Sequence, residues 1–131
     1  MSTAAQVIVS ALAELNTRFA DLAAELRKDP AVLAAVGRVT PRTYNDGDRV
    51  ESYVDVELVS GHAVGFWLEF RQLDGTWVVE SSVRISGDKG EDELVGFRDR
   101  HAVDDESLVA ELQGATSALI DAARRLDLAA L

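Results

Sequence analysis

Val64-Gly65-Phe66-Trp67-Leu68-Glu69-Phe70-Arg71-Gln72-Leu73-Asp74-Gly75-Thr76-Trp77-Val78-Val79-Glu80-Ser81-Ser82-Val83-Arg84-Ile85 decides the fold. Asp74-Gly75 sits between two runs rich in β-branched and aromatic residues, the pattern of a two-residue type I′ hairpin. Such a turn fixes the pairing: Phe70 with Val79, Leu68 with Ser81, Phe66 with Val83 and Val64 with Ile85. Side chains alternate between faces along a strand, so these residues share one nearly continuous apolar face.

Working towards the N-terminus, a three-residue turn at Ser60-Gly61-His62 pairs Leu58 with Val64, Val56 with Phe66 and Val54 with Leu68. The apolar face then runs across three strands. A slip of one residue at either turn would send these side chains to the wrong side. A further turn at Asp46-Gly47 brings in an edge strand over Gly37 to Tyr44. Pro41 restricts that segment to an edge, because proline cannot donate to a ladder. This register sets Val39 beside Val54, Arg38 opposite Asp55 and Arg42 opposite Glu51. Beyond Ser86 lies a polar loop, Asp88 to Glu93. The segment Leu94 to Arg98 alternates too weakly to assign to a fifth strand or to irregular chain.

Each end of the chain carries an amphipathic helix. From about Thr3 to Lys28, Ile8, Leu12, Leu15, Phe19, Leu22 and Leu26 recur at spacings of three and four, which places them on one stripe. Asp29-Pro30 ends this helix, because the residue before proline is pushed out of the α region. Pro30 can open a short helical piece over Ala31 to Val36. From about Asp105 to Leu128, Leu108, Leu112, Ala115, Leu119, Ala122 and Leu126 repeat the spacing, with Asp104 or Asp105 as N-cap. The sequence therefore specifies one α+β domain over residues 1–131. It is two-layered, a four-stranded antiparallel meander with an N-terminal and a C-terminal helix on one face. Its core draws on Ile8, Leu12, Leu15, Phe19, Leu22, Val54, Val56, Leu58, Phe66, Leu68, Phe70, Val79, Val83, Ile85, Leu112, Leu119 and Leu126.

Composition bounds the function. The 131 residues include no cysteine, which excludes disulfides, thiolate metal sites and thiol catalysis and fits a reducing cytoplasm. The formal charge of −10 disfavours nucleic acid and anionic membranes and favours a basic protein partner. No apolar run reaches the roughly 18 residues of a membrane span. His62 and His101 lack partners at metal-ligand spacing, and Asp88, Gly90 and Asp92 are only a fragment of a calcium loop. No nucleophile elbow or phosphate loop occurs, so neither a metal nor a cofactor is expected, and the chain reads as a non-enzyme.

The outer face of the meander is the candidate working surface. It carries Tyr53, Asp55, Glu57, Trp67, Glu69, Arg71, Glu80, Ser82 and Arg84. Glu69 and Glu80 fall opposite each other, and like charges so placed repel. Three uses stand open: a solvated face whose arginines screen the glutamates, a protein-binding face centred on the aromatics, or a carboxylate pair for acid–base work. The binding reading takes Tyr53, Asp55, Trp67, Glu69, Arg71, Glu80 and Arg84 as its residues. It makes the chain a small acidic partner of a more basic protein, such as an immunity protein or a secretion chaperone. The alternative is a small-molecule site or enzyme using a cavity between sheet and helices, with Glu69 and Glu80, or His101 with Arg98. A twofold homodimer would use the same aromatic face.

Overall fold

A computed structural model of the chain describes residues 4–32, 39, 41–45, 49–87 and 92–131, with backbone alone for 4, 5, 8, 45 and 92–101. Helix α1 (Ala4–Arg27) precedes strands β1 (Arg42–Asn45), β2 (Arg49–Glu57), β3 (Ala63–Leu73), β4 (Thr76–Ser86) and β5 (Asp92–Val103). A 3-10 turn (Asp105–Ser107) leads into α2 (Leu108–Arg125), and another (Leu128–Ala130) follows it. The strands form one antiparallel sheet in chain order, and both helices pack on one face, α1 against β2 and α2 against β4.

The β3–β4 hairpin has the expected register, including Phe70↔Val79, Phe66↔Val83 and Val64↔Ile85. Its turn has positive φ at Asp74 (51°) and Gly75 (80°), as type I′ requires. The neighbouring turn is displaced. Gly61 N–H donates to Leu58 O at 3.0 Å and Leu58 N–H to His62 O at 2.8 Å, so Val59-Ser60-Gly61 form the connection. Gly61, at φ 95°, is the left-handed residue that closes a three-residue hairpin loop. The register is therefore Val54↔Phe66 and Val56↔Val64, two residues from that expected. A shift of two preserves the faces, which is why the apolar side survives it.

The β1–β2 pairing is displaced by two as well. Arg42 lies opposite Tyr53, and Glu51 lies opposite Tyr44, because the connection after Asn45 is longer than two residues. Gly37 and Arg38 are outside the described residues. Ala31 and Val32 form a turn and an isolated bridge to Leu58, and residues 33–36 of the expected helical piece lie outside the described residues. There the Asp29 carboxylate accepts from Ala31 N–H at 2.9 Å and Val59 N–H donates to Ala31 O at 3.0 Å, bonds that compete with helix formation.

The sheet has five strands rather than four. Asp92 and Glu93 belong to β5, and residues 88–91 of the expected polar loop lie outside the described residues. Register shifts between Val79 and Ser81 and between Val83 and Arg84 interrupt the β4–β5 ladder. Each extra residue reverses the side-chain parity of the bulged strand, so no clean alternation could mark residues 92–103 as a strand.

Phe66, Leu68 and Phe70 are fully buried beneath the helices with Phe19, Leu15, Leu22, Val54 and Leu112. Leu12, Ile85 and Leu126 are only partly buried, at the margin, and the side chain of Ile8 is outside the described set. The buried stripe of α1 runs through Val7, Ala11, Leu15 and Ala23, because alanine lets the helix sit close to its neighbours. Trp77 adds to the core at 3% exposure, edge-on to Phe70 with ring centroids 5.8 Å apart. Its Nε1 donates to Asp105 Oδ1 at 2.6 Å, which ties β4 to the start of α2. Asp104 caps that turn by accepting from Ser107 N–H at 2.9 Å.

Adjacent residues on opposite faces test this arrangement. Phe66→Ala should cost about 3–5 kcal/mol in denaturant unfolding, the range for a buried aromatic. Trp67→Ala should cost only about 1 kcal/mol, the value of its hydrogen bond. Equal losses would place Trp67 in the core.

Candidate functional site

The face opposite the helices carries the odd-numbered residues of β2 and β3 and the even-numbered residues of β1 and β4. Register orders them into cross-strand rows. Asp55, Gly65 and Arg84 form one row. Arg42, Tyr53, Trp67 and Ser82 form the next, followed by Tyr44, Glu51, Glu69 and Glu80 and then by Arg49, Arg71 and Val78. The net charge of −10 is not concentrated here: on β1–β4 the carboxylates Glu51, Asp55, Glu57, Glu69 and Glu80 are interleaved with Arg42, Arg49, Arg71 and Arg84.

Glu69 and Glu80 are direct cross-strand partners, and Glu51 adjoins Glu69 on the other side. Arg49 offsets the repulsion, with Nε 3.3 Å from Glu69 Oε1 and a terminal nitrogen 3.6 Å from Glu51 Oε2. Arg71 attracts Glu69 at longer range, while its buried Nε has no hydrogen-bond partner among the described residues. The balance still disfavours charge on Glu69. Burial raises its pKa above the ordinary 4.5, Arg49 and Arg71 oppose that, and Glu80 and Glu51 add to it.

The aromatics are held by polar contacts. Trp67 Nε1 donates to Glu51 Oε1 at 2.6 Å, which fixes the indole on the outer face. The Tyr44 and Tyr53 rings stack with centroids 5.8 Å apart, and their hydroxyls meet at 3.2 Å. Arg42 lies opposite Tyr53 in the shifted β1 register, and the two phenols raise its pKa, Tyr53 more than Tyr44. The Tyr53 pKa is raised, first by the hydrogen bond with Tyr44 and then by burial, with Arg42 opposing.

Between Trp67 and the row below lies a concavity of about 450 Å³. Gly65 and Ala63 form its floor, Trp67 and Tyr53 wall it, and Asp55, Glu51, Ser82, Ser86 and Arg84 supply the polar groups. Gly65 makes it possible. A Cβ there would lie 3.0 Å from Asp55 Oδ1, so the Asp55 carboxyl leans over space that a side chain would fill. Asp55 is an exposed residue overall, yet desolvation of its carboxyl raises the pKa, with Arg42 opposing. Among the described residues no hydrogen bond or ion pair reaches that carboxyl.

The structure thus gathers Tyr53, Asp55, Trp67 and Arg84 around one concavity and leaves Glu69, Arg71 and Glu80 in charged rows beside it. Glu51 and Gly65 belong to the site and were not among the expected residues. A glycine in mid-strand was the available signal, since it marks close approach of another group. His62 lies just past its turn, with Nδ1 3.2 Å from Ser60 Oγ. The side chains of Arg98 and His101 fall outside the described set, with His101 paired to Val79 through the backbone. No helix among the described residues is long and apolar enough to cross a membrane. No family model, curated protein or solved structure matches the chain significantly.

Glu69 offers a pH test. Its folded pKa lies above its unfolded value, so ionised Glu69 opposes folding. That opposition is full above the raised pKa and fades as pH falls through it towards 4.5. Glu69→Gln should therefore raise the melting temperature at pH 7, and the gain should shrink on acidification. A gain independent of pH, or a loss at neutral pH, would contradict the assignment.

Proposed function

We propose that this chain is a non-catalytic binding module whose outer sheet face receives a more basic protein, as an immunity protein or a secretion chaperone receives its client. One observation carries this reading: the face opposite the helices bears Trp67, the Tyr44–Tyr53 stack and a concavity of about 450 Å³, and no described element covers it. Aromatic residues fixed by polar neighbours are the anchors that dominate interface energetics. The net charge of −10 gives a long-range field that steers a cationic partner towards the chain. The interleaved charges on the face then supply local pairs that set orientation.

The alternative, a small molecule held between sheet and helices, has less support. Phe19, Phe66, Phe70, Leu22 and Leu112 fill that layer and are essentially inaccessible. A small molecule would instead have to occupy the outer concavity. A twofold dimer through the aromatic face is the competing occupant, and light scattering over a range of concentrations reads it directly. The cytoplasm is the proposed compartment, in keeping with the absence of cysteine.

The test begins with a partner recovered from the native cell, identified and purified. Calorimetric titration should then give an affinity that Trp67→Ala weakens by about thirtyfold, as loss of a hot spot of about 2 kcal/mol does. Val9→Ala, at an exposed position of α1, should leave it unchanged. An affinity indifferent to Trp67→Ala and Tyr53→Ala would remove the outer face from the interaction.

A further inference from the structure

We infer that the concavity over Gly65 is a pocket for one cationic side chain, a lysine or arginine, presented by the partner; this rests on the reading of the outer face as a protein-binding surface. Three features of the pocket define the guest. Its lining includes the aromatic side chains of Trp67 and Tyr53, to which a cation is drawn by the ring quadrupole. Its floor lacks a side chain at Gly65, so a long aliphatic stem has room to lie along the sheet. The Asp55 carboxyl hangs over that floor without a hydrogen bond or ion pair from the described residues.

The charges near the pocket support the same guest. Glu51, the other lining carboxylate, is already engaged by Trp67 Nε1 at 2.6 Å and by Arg49 at 3.6 Å. Arg42 attracts Asp55 only from a distance, and its own pKa is set by the nearby Tyr53 and Tyr44 phenols. Arg84 stands on the far side of Gly65, two strands from Asp55, and has an interaction of its own. Adjacent strands are roughly 4.8 Å apart, so Asp55 and Arg84 are separated by about 10 Å at the backbone. Among the described residues, Asp55 is thus the lining carboxylate left to accept from a donor brought by another molecule. A guanidinium or ammonium supplies that donor as a charge-assisted bond, which a neutral amide cannot match. A volume of about 450 Å³ admits one long side chain with its backbone.

The experiment uses the whole chain, isotopically labelled, and five-residue alanine peptides, acetylated and amidated, with one central arginine, lysine, citrulline or norleucine. Titrations at low salt are read at the Trp67 indole N–H and the Gly65 amide. The arginine and lysine peptides should shift both signals to saturation, and the neutral citrulline and norleucine peptides should bind at least about tenfold more weakly. Asp55→Asn should weaken arginine binding by about tenfold. Gly65→Ala should do the same by filling the floor, with little change in melting temperature, because the exposed Asp55 side chain can move aside. Glu106→Gln, remote from the pocket, should change nothing.

Equal binding of citrulline and arginine, undiminished binding to Asp55→Asn, or shifts confined to the helices would each overturn the assignment. So would the absence of any arginine-dependent shift. A purified partner that loses affinity with Trp67→Ala but not with Asp55→Asn overturns the pocket and leaves the face reading intact. Arginine binding at Asp55 in a chain whose face no protein engages upholds the pocket and removes that reading.

Discussion

The reversal at Asp74 and Gly75 governs the rest of the structure. Both residues hold positive φ, the geometry that matches the right-handed twist of the strands entering and leaving the turn. Once it forms, the parity of eleven residue pairs from Leu73↔Thr76 to Ala63↔Ser86 is fixed. Phe66, Leu68, Phe70, Trp77, Val79 and Val83 are committed to the helix side, and Trp67, Glu69, Glu80 and Arg84 to the other. The helices add burial to a surface that the hairpin has already sorted. The bond from Trp77 Nε1 to Asp105 shows the coupling, because a strand residue anchors the entry to the last helix.

On the outer face the same register imposes an electrostatic cost. Glu51, Glu69 and Glu80 stand in line across three strands, an arrangement that repels. Arg49 and Arg71 in the adjacent row reduce the repulsion without abolishing it, since burial still raises the Glu69 pKa. Retaining charges in such a row is consistent with a surface shaped by what it meets as well as by stability. The solvated-face reading accounts for the screening by arginine. It does not account for the fixed indole and the concavity beside it.

The concavity comes from an absence. Gly65 at the centre of β3 contributes no side chain, and Asp55 from β2 leans into the vacated space. A carboxyl so placed loses part of its hydration and gains no bond from the described residues in return, and its raised pKa reflects the desolvation. For the cationic guest proposed above, an indole already tied to Glu51 would leave little ordering to be done on that wall when a donor arrives.

The sequence by itself determined the helix–meander–helix order, the β3–β4 hairpin and the membership of both faces, because turn chemistry and alternation are local signals. It also named Tyr53, Asp55, Trp67 and Arg84 correctly as outer-face residues, since the two-residue displacements on either side of β2 preserved parity. Only the tertiary structure decided which of these residues meet. Arg42 reached the tyrosines instead of Glu51 because of loop length, which composition does not encode. β5 stayed hidden because its bulges break the period from which a strand is recognised. The pocket itself depends on a lateral relation, Asp55 across from Gly65, that exists only once two strands lie side by side.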